Sequence, residues 1–233
     1  MAYTRSHQTD SRIFLNRVLP QRNCKAFVNS SDPLREALEA RSSWEPSVIQ
    51  NSHVFRAVIG PAGGSKGYTA ITGEQSWGIA WWINGLLIPE IHVRRGENYT
   101  FIVEGGSDPG RQARYHPLYI TNNREGGGGQ EPSLLNTPDH KVYAGIDFRS
   151  GRPDPLGAGR YCELKHKTID VAESVGSVDE YKRTLYLDCD DGNIATFNWT
   201  PDEHTPDVVY YQVSYVEITN SSISYTISYL FLY

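Results

Sequence analysis

Through most of the chain, short apolar and aromatic runs alternate with glycine- and proline-rich breaks, a spacing that predicts strands joined by turns. HVFRAVIG, from His53, stops at Gly60-Pro61, and the glycine-rich PAGGSKG then turns the chain into YTAIT, which together predict a hairpin over 53–76. IAWWING and LLIPEIHV predict two strands about Asn84-Gly85, a two-residue turn that needs positive φ at both positions. Pro89 places a bulge or a sheet edge in the second of them. In NYTFIVEGG, Tyr99, Phe101 and Val103 fall on one face and Thr100, Ile102 and Glu104 on the other, so the strand is buried chiefly on one side. HPLYIT, VYAGIDF, KRTLYLDC, NIATFNWT and DVVYYQVSYVEI continue the pattern, with KRTLYLDC and NIATFNWT joined at Asp190 to Gly192. Residues 1–52 are polar and irregular, apart from Pro33 to Ala40, where Asp32 can cap a short helix whose first position is proline. Close-set short strands with little helix predict an antiparallel sandwich or barrel.

Composition narrows the partners. The 233 residues are 39% hydrophobic and 21% charged, enough for one sizeable core, and a net charge of −5 leaves no electropositive footprint for nucleic acid or an anionic membrane. No apolar stretch reaches the ~20 residues that span a bilayer, and MAYTRSHQTDSR lacks the apolar centre of a signal peptide. Cys24, Cys162 and Cys189 cannot all pair within the chain, and none has zinc-site spacing. In an oxidising compartment Cys162 with Cys189 is the expected pair, contributing about 3–4 kcal/mol on the chain-entropy account; two buried thiols are the alternative. Asn29, Asn98, Asn198 and Asn220 head glycosylation sequons, with Asn98 and Asn198 in strand regions.

Several catalytic patterns are formal matches without context. Gly63 to Gly67 fits GxSxG, but that elbow must open a helix, which YTAITG is not expected to continue. Asp188, Asp190 and Asp191 lack both the glycine position and the closing bidentate acid of a calcium loop. Gly126 to Gly129 precede no Lys-Ser or Lys-Thr pair, so phosphate cradling is unsupported. The Arg94-Arg95 and Arg111–Arg114 pairs are expected as solvated turn charges. Aromatics in sandwich strands usually fill the core, yet Trp81 and Trp82 are adjacent and must point to opposite faces, so whichever faces outward could stack on a sugar ring.

Several blocks in order resemble the C-terminal, plastocyanin-like region of the Knickkopf and Skeletor proteins of invertebrates: FRAVIGPAGGSKGYTAITG, GIAWWINGLLIPEI, YTFIVEGGSDPGRQARYHPLYITNN, GAGRYCEL, YKRTLYLDCDDG and WTPDEHTPDVVYYQ, together spanning residues 53–212. In that family the region follows a DOMON domain, whose core is absent from this sequence. The resemblance implies an all-β, cupredoxin-like Greek-key β-sandwich. His116, before Pro117, matches the early copper-ligand position; Skeletor-type members carry a Cys directly after YYQ and a His soon after, where this chain has Val213 and no later Cys or His. A lone imidazole cannot hold copper in a trigonal His-Cys-His set, so His116 is expected to be vestigial and no cofactor is expected.

Val213-Ser214 after an intact family block is what translation through a splice donor would produce, with a natural truncated isoform as the competing account. Either implies loss of the last native strand. The β-prone, uncharged YTISYLFLY then replaces it or becomes an aggregation hazard. The expected organisation is a disordered or partly helical flank over 1–52, a linker hairpin over 53–76 leading from a DOMON-type neighbour, a cupredoxin-like domain over 77–212 and a non-family tail over 213–233. The expected role, implied by the resemblance, is a non-enzymatic extracellular protein that organises or protects cuticular chitin, with chitin or cuticle matrix proteins as partners. The alternatives are a redox module of a DOMON–cupredoxin protein and an intracellular scaffold.

Overall fold

The computed structural model describes residues 43–124, 137–150, 153–213 and 228–232. Two sheets face each other. The first is built on β2 (Val54–Pro61), which pairs antiparallel with β3 (Ile79–Ile83) on one side and parallel with β6 (Tyr99–Glu104) on the other. β4 (Leu86–Leu87) extends it beyond β3, and β13 (Ala195–Trp199) beyond β6. β11 (Cys162–His166) joins β2 past the end of β6 and carries β12 (Leu185–Cys189) antiparallel. The second sheet runs β1 (Val48–Ile49), β5 (Glu90–Val93), β15 (Ser228–Leu232), β14 (Val208–Val213), β7 (Leu118–Thr121) and β8 (Val142–Ala144). A small ribbon, β9 (Ile146–Asp147) with β10 (Asp154–Pro155), lies outside both.

The chain changes sheets repeatedly, and the parallel pairs β2/β6 and β15/β5 follow from those crossings. The expected β-sandwich is therefore present, its strands shared between two facing sheets. One crossing is visible in the backbone. Asn84 and Gly85 both take positive φ and close the β3–β4 hairpin as expected. Ile88 then adopts φ 35, strained for a β-branched residue, and is held there by burial and by donating its N–H to the Trp81 carbonyl at 2.9 Å. Pro89 follows, its carbonyl accepting from the Tyr211 hydroxyl at 2.8 Å, and the chain enters the second sheet.

The main core between the sheets includes Phe55, Trp81, Ile83, Phe101, Leu118, Ile120, Val209 and Tyr211. A second core covers part of the outer face of the first sheet, where Trp44, Tyr68, Trp82, Leu87, Val178 and Tyr181 pack together. Helix α1 (Tyr68–Thr72) and helix α2 (Val178–Arg183) supply much of it. Ser177 caps α2 by accepting from the Glu180 N–H, and acidic residues in the first turn with basic ones in the last suit the helix dipole.

Several expectations are corrected here. YTAIT is a helix rather than the return strand of a hairpin, because its apolar side chains cover the sheet instead of extending it. The stretch assigned to a linker contains β2, the central strand of the first sheet, so no boundary falls at residue 77. Nor is all of 43–52 an irregular flank: Trp44 is core and β1 pairs parallel with β5. β12 and β13 are not hairpin partners across Asp190 to Gly192; each pairs elsewhere, with β11 and β6. The segment Pro33 to Ala40 and its cap Asp32 lie outside the described residues. The tail contributes β15, which fills the slot between β14 and β5 with Leu232 buried, so the sheet is continuous there.

Candidate functional site

His116 sits at the entrance of β7, at the end of the sandwich where β14 finishes. Gly105 and Gly106 make the approach close: a Cβ on Gly105 would lie 2.2 Å from the His116 carbonyl, and Gly106 adopts φ 97. The His116 N–H donates to the Gly105 carbonyl at 2.9 Å. Its ring is buried, which holds the imidazole below its ordinary pKa despite the opposing bond to Ala113. Nε2 lies 3.2 Å from the Ala113 carbonyl, an acceptor, so this nitrogen carries the proton and Nδ1 is the basic one.

The register places Val213 opposite Leu118, two residues beyond His116. Among the described residues this corner brings together one imidazole and an isopropyl group, a donor set that does not fit copper.

The sulfur lies elsewhere. Cys162 and Cys189 are opposite one another on β11 and β12 and are joined as a disulfide, with Cα atoms 4.1 Å apart. Beside them, the side chain of Glu104 is 1% exposed and takes Arg56 Nε at 2.5 Å and Arg160 Nε at 2.8 Å. Burial pushes the Glu104 carboxyl up, but the hydrogen bonds and charges of the two guanidinium groups outweigh it and hold it below the usual range. Glu104, Cys162 and Cys189 form the one metal-capable trio among the described residues. Cys162 Sγ is 3.4 Å from Glu104 Oε1 but, in a disulfide, has no proton to donate and no thiolate to offer. The trio is structural.

Trp81 and Trp82 do point to opposite faces, and both are 0% exposed. The expectation that one of them meets a saccharide is overturned: Trp81 lies in the core between the sheets, while Trp82 lies under the α2 layer and donates Nε1–H to the Pro61 carbonyl at 3.1 Å. Trp77 is the exposed tryptophan of this region.

GxSxG does stand between a strand and a short helix, contrary to expectation, but its residues serve the fold. Ser65 donates its hydroxyl to Glu173 Oε2 at 2.7 Å rather than to an imidazole, and buried Lys66 donates Nζ to the Glu173 and Val175 carbonyls. Asn98 and Asn198 are both exposed, on the neighbouring strands β6 and β13 or their margins.

Pattern reading did not anticipate an open hollow of about 230 Å³ beside β5, bordered by His53, His92, Arg94, Glu97 and Tyr99. It falls below the roughly 300 Å³ at which ligand pockets usually begin. Its polar groups largely answer one another: Tyr99 donates to Glu97 at 2.9 Å, His53 stacks on Tyr99, and His92 lies 3.5 Å from Glu90. Its border joins the segment at His53 to the segment from His92 to Tyr99, which are far apart in sequence, so no local motif marks the hollow.

Fold and site together define a two-sheet β-sandwich with a buried imidazole, His116, and a cross-strand disulfide. Two forms of a Drosophila melanogaster protein, Protein Skeletor isoforms B/C and isoforms D/E, are each 42% identical to it over 209 residues, 84% of this chain. The chain belongs to the Skeletor family. It spans 26% of the first relative's length and 14% of the second's. No protein-family profile matches the chain. Among solved structures, it is similar to reduced rusticyanin (12% identity, 86% of this chain, 95% of that chain, TM-score 0.33) and to rusticyanin from Thiobacillus ferrooxidans (13%, 86%, 93%, 0.32).

Proposed function

We propose that this chain is a non-enzymatic structural module of the extracellular cuticle matrix that helps organise or protect chitin. The observation that carries the reading is where the sulfur goes: Val213, opposite Leu118, offers none near His116, and Cys162 and Cys189 are joined in a cross-strand staple. A staple of this kind persists in oxidising, extracellular surroundings. Membership of the Skeletor family supports the placement in cuticle, and a net charge of −5 fits matrix proteins or a neutral polymer better than nucleic acid. No helix among the described residues is long and apolar enough to cross a membrane.

With both strand tryptophans buried, Trp81 and Trp82 form no aromatic platform, and the module's contact with chitin is indirect, through other matrix proteins. Tagged protein expressed in an insect epidermis tests the reading. Accumulation in the cuticle with weak retention on purified chitin is the expected outcome, and retention inside the cell would overturn it in favour of an intracellular scaffold. The retained His116 position favours one rival, a redox module. Titration of the chain with copper separates the two: the expected result is no thiolate-to-copper absorption band and no stoichiometric retention after dialysis.

A further inference from the structure

The outer face of the first sheet is only half covered. Over β3, β11 and the end of β2 lies the layer containing Trp44, α1 and α2. Over β6, β13 and the start of β2 nothing packs among the described residues: Val54, Arg56, Thr196, Asn198 and Thr200 are exposed, and Thr100 and Ile102 are partly so. Among the described strands β13 hydrogen-bonds to β6 alone, with β8 of the second sheet close to it. An uncovered sheet face ending in an edge strand invites pairing with another chain.

Both described sequons lie on this bare half, and they face each other. The register sets Asn198 opposite Thr100 and Trp199 opposite Tyr99, which brings Asn98 opposite Thr200. Asn98 donates Nδ2–H to Thr200 Oγ1 at 3.0 Å, and Thr100 donates its hydroxyl to Asn198 Oδ1 at 2.9 Å. Each asparagine is thus held by the threonine of the other sequon. Diagonal neighbours on one face of such a ladder lie roughly 7–8 Å apart, so sugars on Asn98 and Asn198 would rise side by side from one spot.

We propose that Asn98 and Asn198 both carry N-linked glycans and that the pair masks the bare half-face at β6 and β13. This rests on the extracellular reading, since only a chain that enters the secretory pathway meets the transferase. Attachment precedes pairing of the strands. Asn98 emerges far ahead of Asn198 during synthesis, so its amide is free before β13 exists to engage it, whereas the folded ladder occupies both asparagines and both hydroxyls. In the attachment, Asn Nδ2 loses a proton and bonds to the anomeric carbon of a lipid-linked oligosaccharide as the lipid diphosphate departs. The remaining Nδ2–H of Asn98 can still reach Thr200, so the glycosylated ladder keeps its cross-strand bond.

The test is to express the full chain behind a cleavable secretory leader in insect cells and map glycopeptides from the endoplasmic reticulum and the medium. The expected result is a core glycan at each position, with Thr100→Val removing the one on Asn98 and Thr200→Val the one on Asn198. Asn98→Gln and Asn198→Gln serve as the second pair should either valine disturb the sheet. Enzymatic removal of both glycans from the folded protein should shift it from monomer to dimer or larger in sedimentation. Unmodified Asn98 or Asn198 on chains recovered from the reticulum overturns the site, and a deglycosylated chain that stays monomeric overturns the masking. The outcome for the extracellular reading is separate: glycans on the leader-bearing chain, with natural protein confined to the cytosol, would sink that reading while leaving the competence of the sites intact.

Discussion

Trp81 and Trp82 are covalent neighbours, equally buried, and buried by different things. Trp81 is covered by the opposing sheet, which any sandwich must provide, because the inner face of each sheet has to be removed from water. Trp82 is covered by an added layer, drawn from Trp44, from α1 and from the excursion between β11 and β12 that holds α2. Alternation along a strand says which residues share a face. It does not say whether the second face is wet, which depends on segments far away in sequence. The first core belongs to the fold and the second to this chain's elaboration of it.

The largest effect should come from this pair. Replacing a buried Trp with Ala costs about 3–5 kcal/mol, so Trp81→Ala and Trp82→Ala should both lower stability by that order in denaturant melts. An outward-facing Trp82 would instead give a loss under about 0.5 kcal/mol. Equal losses sharpen the comparison. A near-neutral Trp82→Ala would break it, because the added layer would then not be seated on the sheet.

The staple tests the layer from its other end. Cys162 and Cys189 enclose the excursion that carries α2, with a sequence separation of 27. On the chain-entropy account, closing a loop of that length contributes about 3–4 kcal/mol. A Cys162→Ser, Cys189→Ser chain should therefore unfold at lower denaturant concentration by that amount. Hydrogen exchange in α2 and around Tyr181 should speed up more than in β7 or β14, which lie in the other sheet. Uniform acceleration would mean that the two cores open as one unit.

Much of this molecule could be seen in one dimension. The Asn84-Gly85 hairpin, the buried face of β6 and the strand at HPLYIT depend on residue chemistry within a few positions, and each is present. What escaped were arrangements decided at long range. α1 looked like a strand because Tyr, Thr and Ile favour strands, and only its packing against Trp44 and Trp82 makes a segment with four such residues in five helical. Asp190 to Gly192 resembled a hairpin turn, yet β12 had already been claimed by β11 through the disulfide and its ladder. At the site, His116 and Val213 fall on the neighbouring strands β7 and β14 or their margins, segments that local pattern marks as strands. The Glu104 cluster was invisible, because Arg56, Arg160 and the disulfide meet it from three separate strands and loops.

The smallest effect is the one that assigns acid sensitivity to two kinds of buried group, the histidines His116 and His140 and the carboxylate Glu104. His116 and His140 are both held below the ordinary histidine pKa of 6.5 by burial. As pH falls below 6.5 the unfolded chain takes up their protons while the folded chain does not, so stability is lost from that pH downward until the folded-state values are reached. Glu104 acts in a lower window. Its folded pKa lies below the model-peptide value of 4.5, so its contribution is present above that pH and lost as pH falls through the folded value. Denaturant midpoints measured against pH should therefore fall in two stages, of which His116→Asn weakens the first and Glu104→Gln the second. Glu104→Gln should also cost roughly 1–3 kcal/mol at neutral pH, below the cost of breaking a fully buried pair, because Arg56 and Arg160 are partly solvated. If Glu104→Gln left the lower stage unchanged, the carboxylate would not anchor the stapled strands, and acid sensitivity there would have to come from the exposed Asp188 of β12 and from Asp190 and Asp191 beyond it.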